Sequence, residues 1–318
     1  VNTDVLPDPD DDDLKATAME RPYILHMITP GKQMSPFDIN MAADAGYQLL
    51  PTYSEVTLDG VTGLTQDAIF SRGPKGVVRT GIFIGGRDVL LAADMLDAAR
   101  KAMVKPFVVS VMADPSGSYT TAAALVACVE GQLRKVHGTD LAGKRVVILG
   151  GGGTVGRIAG VLAQQLGADV RLSSRGGVEA AQRAADETNV RFGSAMSGVS
   201  GKGVDAIRAS IADADVVLGT AAAGVQVITE ADRAVATRLL VAADVNAVPP
   251  EGIAGVGVMD SGKLLPGSRA VGIGALAVGN VKYQVQHRLL VRMRAAEKPV
   301  YLSFPEALAV AREVLAEV

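Results

Sequence analysis

Short apolar runs closed by glycine, proline or polar turns, each followed by a longer helical pattern, recur along most of this chain. The first is Tyr23-Ile24-Leu25-His26-Met27-Ile28, and it precedes a helix over 35–45 in which Ser35 is the cap and Pro36 the first helical position. A second strand is expected over 48–56. Thr80-Gly81-Ile82-Phe83-Ile84 has the continuous apolar character of a buried strand and runs into an amphipathic helix over 88–103. A further strand over 107–112 ends at Asp114, and a helix follows over about 120–135. Strands that alternate with helices predict a parallel sheet with crossover connections.

The second half repeats the alternation around a different signal. After a polar hinge at 138–143, the strand Arg145-Val146-Val147-Ile148-Leu149 enters Gly150-Gly151-Gly152-Gly153-Thr154-Val155-Gly156 and leaves as an apolar helix. Further strands are expected at 168–172, 214–219 and 239–244. The pattern turns helical again after Gly279, and a last helix over 305–318 is expected to pack back on the first lobe. The chain therefore divides into an acidic tail over 1–20, a first lobe over 21–137, a second lobe over 138–279 and returning helices over 280–318. The fold class is α/β, with two parallel-sheet lobes and a cleft between them.

Strand, glycine turn and helix in that order form a dinucleotide site of the G-x-G-x-x-G type on Gly151, Gly153 and Gly156. The glycines allow a tight turn, an approach of backbone to pyrophosphate and close helix–strand packing. The helix N-terminus at Thr154 and Val155 then faces the anion. After the next strand the chain carries Ser173-Ser174-Arg175, where NAD enzymes place an acid for the ribose hydroxyls. Ser174 and the guanidinium of Arg175 suit the 2′-phosphate of NADP, although Arg175 also reads as a solvated loop cation, and NAD remains compatible. In open α/β sheets the C-terminal strand ends line the crevice, so Ala221 and Ala222 in 220–224, and Asn246 in 244–247, are expected beside the nicotinamide.

Composition narrows the partners. The chain has 318 residues, is 48% apolar and 20% charged, and carries a net charge of −3, which gives no basic patch for nucleic acid. The single cysteine, Cys128, lies in an apolar run and reads as core filler. His26, His137 and His287 are scattered without metal-ligand spacing, so no metal is expected. Neither a leader peptide nor a membrane-length apolar stretch is evident, and a cytoplasmic protein is expected.

Polar groups collect where the first lobe's strands should end. Lys32 follows the first strand, and Phe37 and Asp38 lie in the first turn of the next helix. Asp88 opens a helix after Gly85-Gly86-Arg87, and Asp114 leads a hydroxyl-rich segment with Ser118 and Thr121. Asp88 and Asp114 read singly as caps or turns. Their common placement at strand ends makes a polar substrate cleft the better account of the set. Lys282 follows a glycine-rich segment, 272–276, and reads either as a surface lysine or as a group brought close to another surface.

At this point the chain resembles a known family, the bacterial NAD(P)-dependent methylene-tetrahydromethanopterin dehydrogenases. The carriers are Phe83-Ile84-Gly85-Gly86-Arg87-Asp88, Asp114-Pro115-Ser116-Gly117-Ser118-Tyr119-Thr120-Thr121, Ala243-Asp244-Val245-Asn246-Ala247-Val248-Pro249-Pro250, and Gly274-Ala275-Leu276 with Lys282. The resemblance runs from about Arg21 to the C-terminus. It implies a pterin-binding first lobe, a Rossmann NAD(P) lobe, a homo-oligomer, and hydride transfer from a methylene group carried by tetrahydromethanopterin or tetrahydrofolate. Thr154 departs from the proline common in similar enzymes. In this reading Lys282, Asp114 and Asp38 are the catalytic candidates, with Lys32, Phe37, Asp88, Ser118 and Thr121 around the substrate. No tyrosine has a lysine four residues on, which argues against cyclohydrolase and short-chain dehydrogenase chemistry. Methylenetetrahydrofolate dehydrogenase activity and a non-catalytic NADP-binding sensor remain as alternatives.

Overall fold

The computed structural model describes residues 21–317, so the acidic segment expected as a tail lies outside the described residues. The first half runs β1 (Ile24–Ile28), α1 (Pro36–Asp44), β2 (Thr52–Tyr53), α2 (Gly60–Phe70), α3 (Gly73–Val77), β3 (Thr80–Ile84), α4 (Val89–Lys101), β4 (Ser110–Ala113) and α5 (Ser118–His137). The second runs β5 (Arg145–Leu149), α6 (Thr154–Gln165), β6 (Asp169–Ser174), α7 (Val178–Phe192), β7 (Ser197–Ser200), α8 (Val204–Ile211), β8 (Val216–Gly219), α9 (Glu230–Arg233) and β9 (Val241–Asp244). The chain closes with β10 (Ser261–Leu264), β11 (Val271–Ile273), α10 (Ala275–Ala295), β12 (Tyr301–Leu302) and α11 (Phe304–Ala316).

Two sheets result. The first has the order β12-β4-β3-β1-β2, with every pairing parallel. The second has the order β10-β11-β9-β8-β5-β6-β7 and is parallel except for β10, which runs antiparallel to β11 at the edge. Counted from β5, the six parallel strands follow the doubly wound order of a dinucleotide fold. Strands covered by helices on both faces need apolar residues throughout, and β3, β4, β8 and β9 are buried at every position.

Differences from the sequence expectation have local causes. The strand expected over 48–56 shrinks to Thr52–Tyr53 because it lies at a sheet edge and contains Pro51, which has no N–H to donate and offers only its carbonyl, which accepts from the Met27 N–H. The strand expected from Phe107 begins at Ser110, since Val104 and Phe107 pair in an isolated antiparallel bridge instead. Helix α10 starts at Ala275, ahead of the expected change at Gly279. The two-residue strand β12 was not evident from the sequence; it pairs Tyr301 with Val111 and Leu302 with Met112, adding a C-terminal strand to the first sheet.

The last helices complete the first lobe rather than the second. Helix α11 packs along α5, and α10 packs against α5, α11 and α1. Glu130, buried on α5, is held by Arg312 of α11 at 2.8 and 2.9 Å and by Arg134 at 3.0 Å. Between the lobes, Arg191 of α7 reaches Asp94 and Asp97 of α4 at 2.6 and 2.8 Å. Below that contact Phe304 stands edge-on to both Tyr119 and Phe192, with centroids 5.3 and 5.1 Å away. Cys128 is buried in this core. Among the described residues no helix is long and apolar enough to cross a membrane.

Removing Arg312 leaves the buried Glu130 carboxylate with one exposed partner, Arg134. Arg312→Ala is expected to lower unfolding stability by about 1–3 kcal/mol, the usual cost of an under-satisfied buried acceptor, measured by urea denaturation. A midpoint identical to that of the parent protein would show that the α5–α11 contact does not depend on this pair.

Candidate active site

The glycine turn is shaped by backbone proximity. Strand β5 delivers Leu149 into Gly150, whose φ of +70° is left-handed. A Cβ on Gly156 would lie 2.7 Å from the Gly151 Cα, so only glycine lets the first turn of α6 rest on the strand end. The first helical hydrogen bond of α6 is from Arg157 N–H to Gly153 O, at 3.0 Å. The amides of Thr154, Val155 and Gly156 precede it and face the turn, where Gly153 is exposed. A backbone cradle without side chains, at the positive end of a helix, fits the pyrophosphate of a dinucleotide.

The other expected cofactor residues stand around this cradle. Ala221 backs onto Gly150, where an added Cβ would lie 2.6 Å from the Ala221 Cα, and Ala222 beside it is exposed. Ser174 ends β6 and its hydroxyl accepts from Gly176 N–H at 3.1 Å, while Arg175 projects exposed from the same turn. Asn246 is buried and committed to the loops: its Oδ1 accepts from Gly224 and Val248 N–H groups at 3.1 and 3.0 Å, and its Nδ2 donates to Pro250 O at 2.8 Å. It thereby staples the 220–224 segment to the loop after β9.

On the first lobe, the structure brings Asp38, Phe37, Lys282 and Asp114 together. Lys282 of α10 donates to Gln286 Oε1 at 2.6 Å, and Gln286 Nε2 donates in turn to Asp38 Oδ1 at 2.7 Å. The Lys282 ammonium also lies 3.8 Å from the centre of the Phe37 ring, a cation–π contact. Gly117 leaves room for it, since a Cβ there would lie 3.1 Å from Nζ and the residue has a φ of +66°. Asp114 is fully buried at the end of β4 and accepts from Tyr119 and Thr120 N–H groups at 3.0 and 3.2 Å, with the Thr120 hydroxyl at 2.7 Å.

Burial governs the protonation of this cluster. It raises the Asp38 carboxyl to about 7, helped by repulsion from Asp114 and opposed by the Gln286 hydrogen bond and the Lys282 charge. The Asp114 carboxyl is likewise pushed upward by burial, against the pull of Lys282 and its own donors. Burial lowers Lys282, while the two carboxylates hold it up. One cation and two acids thus share a site largely closed to water.

The remaining candidates are spread around that centre. Lys32 is exposed on the loop after β1. Asp88 caps α4, its Oδ1 accepting from Leu90 and Leu91 N–H groups at 2.9 and 3.1 Å. Ser118 is buried at the start of α5, and the Thr121 hydroxyl donates to Gly117 O at 2.6 Å. Gln286 was missed in the sequence, although its spacing four residues after Lys282 places both on one helix face. A cavity of about 310 Å³ lined by His26, Tyr53 and Thr65 lies against α2, away from the Asp38 cluster. No cluster of potential metal ligands occurs among the described residues.

A parallel-sheet lobe with a buried acid–lysine cluster, set beside a doubly wound lobe with a glycine cradle, defines the class of two-lobed, Rossmann-type dehydrogenase folds. Solved structures share that fold: quinate dehydrogenase from Corynebacterium glutamicum in complex with NAD has a TM-score of 0.53 at 15% identity, covering 94% of this chain and 100% of that one. An NAD-dependent malic enzyme from Thermotoga maritima has a TM-score of 0.54 at 13% identity, covering 95% and 87%. The family described as methylene-tetrahydromethanopterin dehydrogenase, N-terminal, matches residues 36–116. The NAD(P)-dependent methylenetetrahydromethanopterin dehydrogenase of Methylorubrum extorquens is 51% identical over 92% of this chain and 98% of its own length. The bifunctional protein MdtA of the same organism is 34% identical over 84% of this chain and 90% of its own length. The chain belongs to the methylene-tetrahydromethanopterin dehydrogenase family.

The raised Asp38 carboxyl has a thermodynamic sign. Its folded value, about 7, lies above the ordinary 3.8, so the native state holds more protons than the unfolded state between those limits. Its contribution to stability therefore falls as pH rises from about 4 to about 7, and the full cost of ionisation persists above that. Asp38→Asn never ionises and keeps an acceptor for Gln286. It is expected to be more stable than the parent at pH 8, by on the order of 1–3 kcal/mol, with the gap closing towards pH 4. Melting curves at both pH values check this; a gap that does not change with pH would contradict it.

Proposed function

We propose that this protein oxidises methylene-tetrahydromethanopterin to its methenyl form, with transfer of a hydride to NADP, and that NAD and methylene-tetrahydrofolate are secondary substrates. In this reading residues 21–137, with 280–318 packed back on them, form the pterin lobe, and 138–279 form the dinucleotide lobe. The observation that carries it is the packing of the Asp38–Gln286–Lys282 chain of α1 and α10 beside Asp114 at the end of β4 in one lobe, while the end of β5 in the other holds the glycine cradle. The 51% identity to the Methylorubrum extorquens enzyme, along almost the whole chain, supports the choice of substrate.

When bound, NADP supplies the hydride acceptor. This chain's own residues bind, orient and set the field. The Gly151–Gly156 turn holds the pyrophosphate on the amides of α6, and Arg175 meets the 2′-phosphate. Phe37, half-exposed, offers a ring surface to the pterin, and Asp88, Ser118 and Thr121 line the approach, with Lys32 at the mouth. Loss of a hydride leaves positive charge on the methylene carbon and its two nitrogens, so no proton moves in the chemical step. Ionised Asp38 and Asp114 stabilise that charge in a site shielded from water. Lys282, fixed by Gln286, binds a carbonyl or carboxylate of the substrate and balances part of the acid pair's charge in the resting state.

A homo-oligomeric, cytoplasmic enzyme of one-carbon metabolism completes this reading, supported by the family resemblance. Incubation with methylene-tetrahydromethanopterin or methylene-tetrahydrofolate and either dinucleotide, followed by the absorbance of reduced nicotinamide, tests it. NADP with the methanopterin substrate should give the highest kcat/KM; no reduction with any pair would refute the assignment. Lys282→Ala should lower kcat by about 10–100-fold with the KM for NADP retained, and unchanged kinetics would remove Lys282 from the site. The parent kcat should rise with pH through about 7 as Asp38 ionises, a rise that Asp38→Asn should lack.

A further inference from the structure

We propose that Arg87, which belongs to the first lobe, is a ligand of the dinucleotide pyrophosphate and closes that site from the side opposite the glycine cradle. This rests on the dinucleotide reading above and adds a residue that the glycine motif does not contain. A cavity of about 220 Å³ lies between the lobes, walled by Arg87, Asp88 and Val89 on one side and by Gly152, Thr154, Arg157 and Glu187 on the other. The first turns of α4 and α6 therefore face one another across it. Only α6 directs uncapped early amides and the positive end of its dipole towards that space, because the Leu90 and Leu91 amides of α4 are taken by the Asp88 carboxylate.

The charged side chains around the cavity are not equally available. Arg157 is already engaged, with Nε donating to Gly152 O at 3.0 Å and Nη1 to Glu187 Oε2 at 2.9 Å. Asp88 spends Oδ1 on the cap of α4. Arg87 is exposed, and among the described residues it has no hydrogen bond or ion pair. A free guanidinium beside a phosphate cradle forms charge-assisted, bidentate bonds to phosphate oxygens without first breaking a bond of its own. Its neighbours are Gly152 and Thr154, at the pyrophosphate end of the cradle, whereas Arg175 stands at the end of β6, where the 2′-phosphate is read. Arg87 thus strengthens NAD and NADP binding alike, while Arg175 separates the two.

Isothermal titration of NADP and of NAD into the full chain, without any pterin, tests the division. Arg87→Ala should weaken both dinucleotides to a similar degree, about tenfold in Kd, equivalent to about 1.4 kcal/mol. Arg87→Lys should recover part of the loss, and Arg175→Ala should weaken NADP alone. An unchanged melting temperature for the Arg87 variants separates ligand loss from misfolding. The proposal is overturned if Arg87→Ala leaves both constants within twofold of the parent, weakens only NADP, or changes only the KM for the pterin. A parent protein that binds neither dinucleotide removes the functional reading and this inference together; one that binds them but reduces neither with any pterin leaves Arg87 assigned and removes the reaction.

Discussion

The hydrogen bond from Gln286 to Asp38 joins residues 248 positions apart, and much of the architecture follows from the need to make it. A carboxyl buried in the first turn of a helix, as Asp38 is, costs several kcal/mol when ionised unless polar partners reach it. Here the partner comes from α10, near the C-terminus, and reaches Asp38 because α10 lies against α1. The same helix brings Lys282 over Phe37 and beside Gly117, where its charge opposes the upward shift that burial imposes on the Asp38 and Asp114 carboxyls. Stability at this place is subordinate to charge.

The lobes are held apart and together by different forces. Arg191 bonds Asp94 and Asp97 at the outer side, where water weakens each ion pair but the forked geometry keeps direction. The edge-on ring contacts of Phe304 with Tyr119 and Phe192 are apolar and insensitive to salt. Helix α5 serves both lobes, packing on α11 in one direction and on α6 in the other.

How much was readable before the structure depends on the range of the contacts. Local signals succeeded: Ser35-Pro36 opening α1, Asp88 capping α4, and the glycine turn between β5 and α6 are each decided by a few adjacent residues. The fold class followed from the alternation of continuous apolar runs with helical patterns. The extent of edge strands was less readable, because Gln48 to Tyr53 competes between pairing and solvent at a sheet margin. Of the site, the residue types were visible and their assembly was not. Asp38, Asp114 and Lys282 lie on separate elements, and no spacing rule announces that Gln286 links two of them. Asn246, taken from its strand-end position as a cofactor neighbour, spends its hydrogen bonds on loop backbone, which position alone does not reveal.

Strand β12 has an implication for how the molecule is made. The first sheet acquires its edge beside β4 only when Tyr301 and Leu302 are present, and the cover of its buried acid waits for α10. The parallel strands of the second sheet, β5 to β11, are contiguous in the chain and need nothing synthesised after Ile273 to complete their ladder. The second sheet can therefore complete its strand pairing before the last edge strand of the first sheet has been synthesised.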